Sequence, residues 1–355
     1  MNRDQDFMAI AITLAQRGIG KTSPNPAVGS VIVKNDRIIG SGFHKKAGMP
    51  HAEREALDKI VGTPLQNATL YVTLEPCCHY GRTPPCTEAI IQSGIRRVIV
   101  GMRDPDRRVS GKGIQILERS GIEVKVGVLE EECRKLNEAY LLHRTKRRPY
   151  VILKAAMTLN AVVGLKTKKG VRALAITGTK ARRFSHHLRS EVDAILVGSG
   201  TVLADDPQLT CRLKRRQKRD PLRVVLDSSL RLPTTSRLFH LKSPAKTLVA
   251  TTVSKTPKRK GVEFLLCRRN KRGGIQLNDL LRQLANRGVM TLLVEGGPKI
   301  WSSFLKAGTV DRLVVFIAPK IIQGETVQFP LNQLEDLKSI QGEKIGEDLF
   351  IEGSF

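Results

Sequence analysis

Aromatic residues are scarce in this chain: one Trp, four Tyr and ten Phe among 355 residues, 4% of the whole. Proteins that hold single-stranded nucleic acid lean on aromatic platforms for base stacking, so the shortage weighs against RNA or DNA as the partner. Long apolar runs are missing as well. No stretch approaches the 18 or so uncharged apolar residues that a spanning helix needs, and the polar start from Met1 to Phe7 shows neither a secretory signal nor a membrane anchor. Acidic residues are outnumbered, 33 against 60 Lys and Arg, which leaves a net charge of +27. Such an excess attracts phosphorylated small molecules, nucleic acid or anionic lipid, and charge alone does not choose among them. The six cysteines form no small-domain disulfide framework, and three of them crowd between Cys77 and Cys86. That clustering points to a metal and to a reducing, cytoplasmic compartment.

What is present is ordinary globular composition, 41% hydrophobic and 26% charged, over a length that suits two domains. An apolar helical period at Phe7, Ile10, Ala11 and Leu14 leads into the turn-rich Ser23-Pro24-Asn25-Pro26 and a hairpin of Val28 to Val33 with Ile38 to Gly40. Helical stretches near Glu53 to Ile60, Thr87 to Ser93 and Ile114 to Arg119 then alternate with strands at Thr69 to Leu74, Val98 to Gly101 and Glu123 to Val126. This pattern predicts an α/β sheet covered by helices on both faces. Pro149 marks a boundary, giving domains 1–146 and 147–355. The second half repeats the α/β alternation, with strands at Tyr150 to Ala155, Ala194 to Val197, Arg223 to Asp227, Thr247 to Thr251, Met290 to Val294 and Arg312 to Ala318. Its helices fall near Thr179 to Leu188, Leu277 to Asn286 and Lys299 to Ala307. The basic runs at Arg144 to Arg148, Arg212 to Arg219 and Lys255 to Lys260 read as solvated loops.

The chemistry concentrates in His51-Ala52-Glu53, in Glu75-Pro76-Cys77 after a strand, and in Cys86 at the start of the next helix. One His and two Cys supply three zinc ligands and leave the fourth position to water, the pattern of a catalytic site. Zinc brings the pKa of that water toward neutrality, and Glu53 beside it is placed for general acid/base proton transfer. The signature H-x-E followed by P-C-x-x-C marks nucleobase deaminases, but here eight residues, Cys78 to Pro85, separate the two cysteines. Cys78 is the rival ligand to Cys77. A longer loop of this kind should cover the pocket mouth, with His79 and Arg82 as its contacts.

The segments Ser23 to Gly29, Gly42-Phe43-His44, His51 to Glu53 and Thr73 to Cys86, together with Asp104-Pro105 and Gly111 to Gly113, resemble the bacterial bifunctional riboflavin-biosynthesis deaminase/reductase family. The resemblance implies a cytidine-deaminase-like three-layer domain followed by a dihydrofolate-reductase-like α/β domain, with Zn2+ and NADPH as cofactors. It implies small phosphoribosyl pyrimidine substrates: a diaminopyrimidinone carrying a ribosylamino 5-phosphate loses its 2-amino group, and the ribosyl group is then reduced to ribityl. By position it assigns Asn25, His44, His79 and Arg82 to the deaminase substrate. It also implies a homo-oligomer, without fixing its order.

In the second half, Gly198-Ser199-Gly200-Thr201 and Glu295-Gly296-Gly297-Pro298 follow apolar strands, and flexible glycines before a helix N-terminus suit a pyrophosphate. The resemblance assigns Lys154, Ala156, Ala175, Thr177, Thr201, Asp205, Ser228, Gly297 and Pro298 to the cofactor, and Arg189, Leu209, Arg212 and Glu295 to the substrate. Arginine suits a phosphate because its fork donates two hydrogen bonds. The match has gaps. Where the family has Ser-Leu-Asp-Gly the chain reads Thr158-Leu159-Asn160-Ala161, and where Ser-x-Trp precedes Ile-Thr it reads Ala173-Leu174-Ala175. Lys166, Lys168 and Lys169 add charge to the same segment. Two other readings stand beside the bifunctional enzyme: a deaminase with a weakened or inactive reductase half, and an RNA-editing deaminase with a basic RNA-binding half.

Overall fold

The computed structural model describes residues 3–81, 84–167, 170–213, 219–334 and 336–355. Its contacts divide the chain into two compact units, Met1–Arg147 and Arg148–Phe355. Among the described residues no helix is long and apolar enough to cross a membrane.

In the first unit, α1 (Arg3–Gln16) precedes the hairpin β1 (Gly29–Lys34) and β2 (Arg37–Phe43). Asn35 and Asp36 turn that hairpin with φ of 50° and 59°, the positive values a two-residue loop requires of its central residues. Then follow α2 (Ala52–Leu57), β3 (Ala68–Val72), α3 (Cys86–Ser93), β4 (Arg97–Val100), α4 (Lys112–Arg119), β5 (Glu123–Val126), α5 (Glu130–Leu136) and α6 (Glu138–Lys146). The strands lie in the order β2-β1-β3-β4-β5, with β1 antiparallel to both neighbours and β3, β4 and β5 parallel. Period-2 alternation sorts the side chains onto two faces. Ile32, Leu70, Val72, Val98 and Val100 pack with Ala56 of α2, Ile90 of α3 and Leu117 of α4. On the other face Tyr71 meets Phe7 of α1, ring centroids 5.3 Å apart, and α1 buries Met8, Ala11 and Ala15. Each large aliphatic side chain buried there contributes roughly 1.5–3 kcal/mol. The backbones of α1 and β1 approach so closely that a Cβ on Gly29 would collide with the Ala11 carbonyl oxygen.

The second unit comprises β6 (Tyr150–Thr158), β7 (Val162–Thr167), β8 (Gly170–Ala173), α7 (Thr179–Glu191), β9 (Ala194–Gly198), α8 (Ser199–Asp205), β10 (Leu222–Leu226), β11 (Thr247–Thr251), β12 (Val262–Leu266), α9 (Leu277–Asn286), β13 (Thr291–Gly296), α10 (Pro298–Lys306), β14 (Arg312–Ala318), β15 (Thr326–Gln328), β16 (Ser339–Ile345) and β17 (Asp348–Ser354). Its main sheet runs β12-β11-β10-β9-β13-β6-β14-β17-β16, parallel from β12 to β14 and antiparallel at β17 and β16. Both faces are covered, which explains the continuous apolar runs in the sequence. Leu153, Leu196 and Val294 join Leu281 of α9 and Phe304 of α10 on one side, and Ile152, Ile195 and Leu293 join Leu188 of α7 and Val202 of α8 on the other. One sequence expectation is corrected: Arg144 to Lys146 close α6 rather than sit in a loop. The segment after β9 is helix α8, with Gly198 as its N-cap.

Candidate active site

The first unit holds a cavity of about 290 Å³ whose wall includes Asn25, His44, His51, Glu53, Cys77 and His79. Three elements converge there. His51 is the N-cap of α2, so Glu53 falls in its first turn, where the helix dipole favours an acid. Cys77 follows β3, and Cys86 opens α3 with its backbone N–H donating to Cys77 Sγ at 3.4 Å. His51 Nδ1 stands 3.5 Å from Cys77 Sγ and 3.3 Å from Cys86 Sγ, and the three atoms lie within 4.8 Å of one another. Cys78 turns away, its Sγ facing the Arg108 carbonyl oxygen.

The hydrogen bonds from the Cys86 thiol and from His51 pull Cys77 well below the ordinary thiol range, and the bond with Cys77, with burial, pushes Cys86 up. Burial raises the Glu53 carboxyl. Next to it, Asn25 Nδ2 donates to His44 Nε2 at 3.1 Å, and His44 Nδ1 donates to the Pro50 carbonyl at 3.1 Å. That pairing describes a neutral imidazole, in keeping with burial, which lowers the His44 pKa. His79 lines the cavity with Nδ1 buried and without a hydrogen-bond partner. Arg82 lies outside the described residues.

Glu75 had no assigned role in the sequence and has a clear one in the structure. Its carboxylate accepts backbone N–H bonds from Asp104 (3.2 Å), Gly111 (2.9 Å), Gly113 (3.0 Å) and Ile114 (3.4 Å). A charged cap on the α4 N-terminus thereby fixes the strand end that carries Cys77. The Glu-Pro-Cys motif marked the position, but the partners lie 29 to 39 residues downstream. Asp104, held between Glu75 and the Tyr140 hydroxyl (3.0 Å), also lines the cavity.

In the second unit, register places Gly198 beside Leu226, and Val197 beside Gly296. The carboxyl ends of β10, β9 and β13 therefore sit side by side, where open parallel sheets bind nucleotides. Thr201 and Asp205 lie in α8, which follows β9, Ser228 comes two residues after β10, and Gly297 and Pro298 begin α10 after β13. A Cβ on Gly297 would lie 3.3 Å from Thr201 Oγ1, so the two turns approach closely. Lys154 and Ala156 lie on β6, the neighbour of β13. Ala175 and Thr177 lie between β8 and α7, Ala175 being exposed. The Ala173 side chain, Lys168 and Lys169 are outside what the structure describes.

Arg189 and Glu295 are bound to each other. Arg189 Nε donates to Glu295 Oε1 at 2.8 Å, Nη2 to Oε2 at 2.6 Å, and Nη1 to the Thr210 carbonyl at 3.1 Å. The fork expected to hold a phosphate is thus engaged by a carboxylate. Burial works to raise Glu295, but Arg189, with Lys154 and His186, holds it at about 2. Lys154 is half-buried, and desolvation lowers its pKa. Leu209 is buried with a positive φ of 53°, and Arg212 is exposed with Nε 3.2 Å from His186 Nε2.

Comparison with known proteins places these sites in context. Residues 1–102 match the cytidine and deoxycytidylate deaminase zinc-binding region, and residues 149–351 match the RibD C-terminal domain. A riboflavin biosynthesis protein RibD from Aquifex aeolicus is 44% identical over 98% of this chain and 97% of its own length. The crystal structure of a diaminohydroxyphosphoribosylaminopyrimidine deaminase/5-amino-6-(5-phosphoribosylamino)uracil reductase from Thermotoga maritima superimposes with a TM-score of 0.87 at 40% identity, covering 99% of this chain and 98% of that one. RibD of Acinetobacter baumannii gives 0.88 at 36% identity, with the same coverage. The C-terminal half is a reductase domain, so its reading as an RNA-binding half is corrected.

Proposed function

The chain belongs to the RibD family of riboflavin-biosynthesis proteins, and from that membership we propose which residues carry its two reactions and on which substrates. It is a bifunctional enzyme with a zinc-dependent deaminase half and an NADPH-dependent reductase half. The first unit hydrolyses the 2-amino group of a diaminopyrimidinone bearing a ribosylamino 5-phosphate. The second reduces the ribosyl group of the deaminated product to ribityl.

The convergence of His51 Nδ1, Cys77 Sγ and Cys86 Sγ beside buried Glu53 carries the deaminase assignment. The donor set fits zinc. Tetrahedral bonds of about 2.0 Å to nitrogen and about 2.3 Å to sulfur put such donors about 3.5 Å apart, close to the 3.5 and 3.3 Å found. Zinc held there acidifies a water molecule and so supplies the nucleophile. Glu53 would take one proton from that water and pass it to the ring nitrogen as the oxygen adds to the carbon, then take the remaining hydroxyl proton and pass it to the amine, which leaves as ammonia while the carbonyl forms. Asn25, fixed through His44, and His79, with a free ring nitrogen, orient the pyrimidine. Arg82 completes the substrate contacts by resemblance.

For the second half, two helix N-termini meeting at Thr201 and Gly297 suit a pyrophosphate, and Ser228 comes two residues after β10. NADPH supplies the hydride. Lys154, Ala156, Ala175, Thr177, Asp205 and Pro298 complete its cofactor set. The Arg189–Glu295 pair, with Leu209 and Arg212, forms the substrate side. Because Arg189 is engaged by Glu295, the pair acts as a rigid polar wall, and Arg212 is the freer cation for phosphate. Ala161, where the family has glycine, takes a left-handed φ of 59°. The strain is about 1 kcal/mol, and the turn holds through the Phe329 N–H to its carbonyl. This supports an active reductase. The substrates are small molecules, and the six unpaired cysteines suit the cytoplasm. A homo-oligomer rests on the resemblance alone. The test is metal analysis with two assays, ammonia release from the pyrimidine phosphate and NADPH oxidation on its deaminated product. Zinc-loaded protein that releases no ammonia overturns the deaminase half, and absence of NADPH oxidation overturns the reductase half.

A further inference from the structure

Helix α6 carries a basic residue into the deaminase cavity. Arg144 lines it, with its guanidinium 5.2 Å from the Tyr140 ring centroid. Its Nη1 stands 3.7 Å from Asp106 Oδ2, close enough for attraction and too far for a hydrogen bond. Arg144 Nε is buried and has no hydrogen-bond partner. An unpaired, desolvated N–H on a charged group forgoes one of the stronger hydrogen bonds available to a protein.

The wall itself does not satisfy that donor. Asp106 is spent on Arg108, accepting from Nε at 3.0 Å, from Nη2 at 2.6 Å and from the Arg108 backbone N–H at 3.0 Å. Asp104 accepts from the Tyr140 hydroxyl and from the Asp106 N–H. The missing acceptor comes with the ligand. An anionic group with several oxygens, able to meet a planar fork at more than one point, matches the need, and on the deaminase substrate that group is the phosphate.

We propose that Arg144 binds the 5-phosphate of the deaminase substrate and sets the preference for the phosphorylated compound over its dephosphorylated form. The inference rests on the deaminase reading above and adds the residue that selects the phosphate. Kinetics of the zinc-loaded full chain on the substrate, before and after phosphatase treatment, test it. Arg144→Gln should raise KM for the phosphorylated substrate about 10- to 100-fold, leave kcat within about twofold, and leave the dephosphorylated compound unaffected. Arg144→Lys, which keeps the charge without the fork, should fall between. A zinc-replete Arg144→Gln protein with wild-type KM for the phosphorylated substrate overturns the assignment and leaves the deaminase reading standing. If the wild type deaminates neither compound, the deaminase reading fails and the assignment with it. Should Arg144→Gln not fold, inhibition by inorganic phosphate is compared between wild type and Arg144→Lys. Weaker competition in the variant supports the role, and equal competition overturns it.

Discussion

Single side chains divide the labour in the deaminase cavity, and their replacement should separate metal binding from proton transfer. Glu53→Gln keeps a hydrogen-bonding group of the same shape, so zinc content should stay at one per chain while ammonia release falls by about 10²- to 10⁴-fold. Loss of zinc in that variant would reassign Glu53 as a ligand. Cys86→Ser removes a thiolate donor and should abolish zinc retention together with activity, read by metal analysis after gel filtration. Asp104 offers a stability measurement. Burial raises its carboxyl to about 6 in the folded chain, so the folded state holds this proton more tightly than the unfolded state does. That contribution favours folding below about pH 4 and is lost as pH rises through about 6, a change of roughly 2–3 kcal/mol. Asp104→Asn should flatten this part of the pH profile of urea unfolding, and an unchanged slope would assign it to other groups.

Secondary elements decide whether those side chains meet. The α4 N-terminus sits against the strand end bearing the metal-binding thiol, and a Cβ on Gly113 would strike the Pro76 carbonyl oxygen. Gly113→Ala should therefore weaken zinc affinity by about 10-fold or more, as outer-shell changes do, measured by competition with a chromogenic chelator. Unaltered affinity would show that α4 can shift without moving Cys77. The donors themselves were legible in the sequence because His, Glu and Cys in short motifs announce their chemistry. The groups that hold them were not, since Glu75 finds its partners 29 to 39 residues away and Arg189 meets Glu295 across 106. Strands with paired apolar neighbours, such as β9 and β13, were equally plain. The exposed edge strand β16 and the short β7 and β8, interrupted by Gly and Lys, carry no apolar period to betray them. Helix α8 was hidden by Gly198 and Gly200, which mimic a phosphate loop.

At the scale of the molecule, each site draws its described residues from one unit. The zinc donors and Glu53 fall within Met1–Arg147, and Lys154, Glu295 and the α8 and α10 turns within Arg148–Phe355. Treatment with a strong chelator should stop ammonia release while NADPH oxidation on the deaminated substrate persists at its original rate. Loss of both together would mean that the halves depend on one another. The second unit has its own anchor at its start: Arg148 grips Asp311 through Nη1 at 2.6 Å and Nη2 at 2.8 Å, and Asp311 also accepts the Val151 N–H. In the first unit, the carboxylate of Glu75 reaches as far as Ile114, so a polypeptide still emerging from the ribosome has no finished thiolate cradle until that helix is out. Loading with the ion therefore follows translation of α4, and once bound the ion stabilises by mass action the backbone arrangement that holds it.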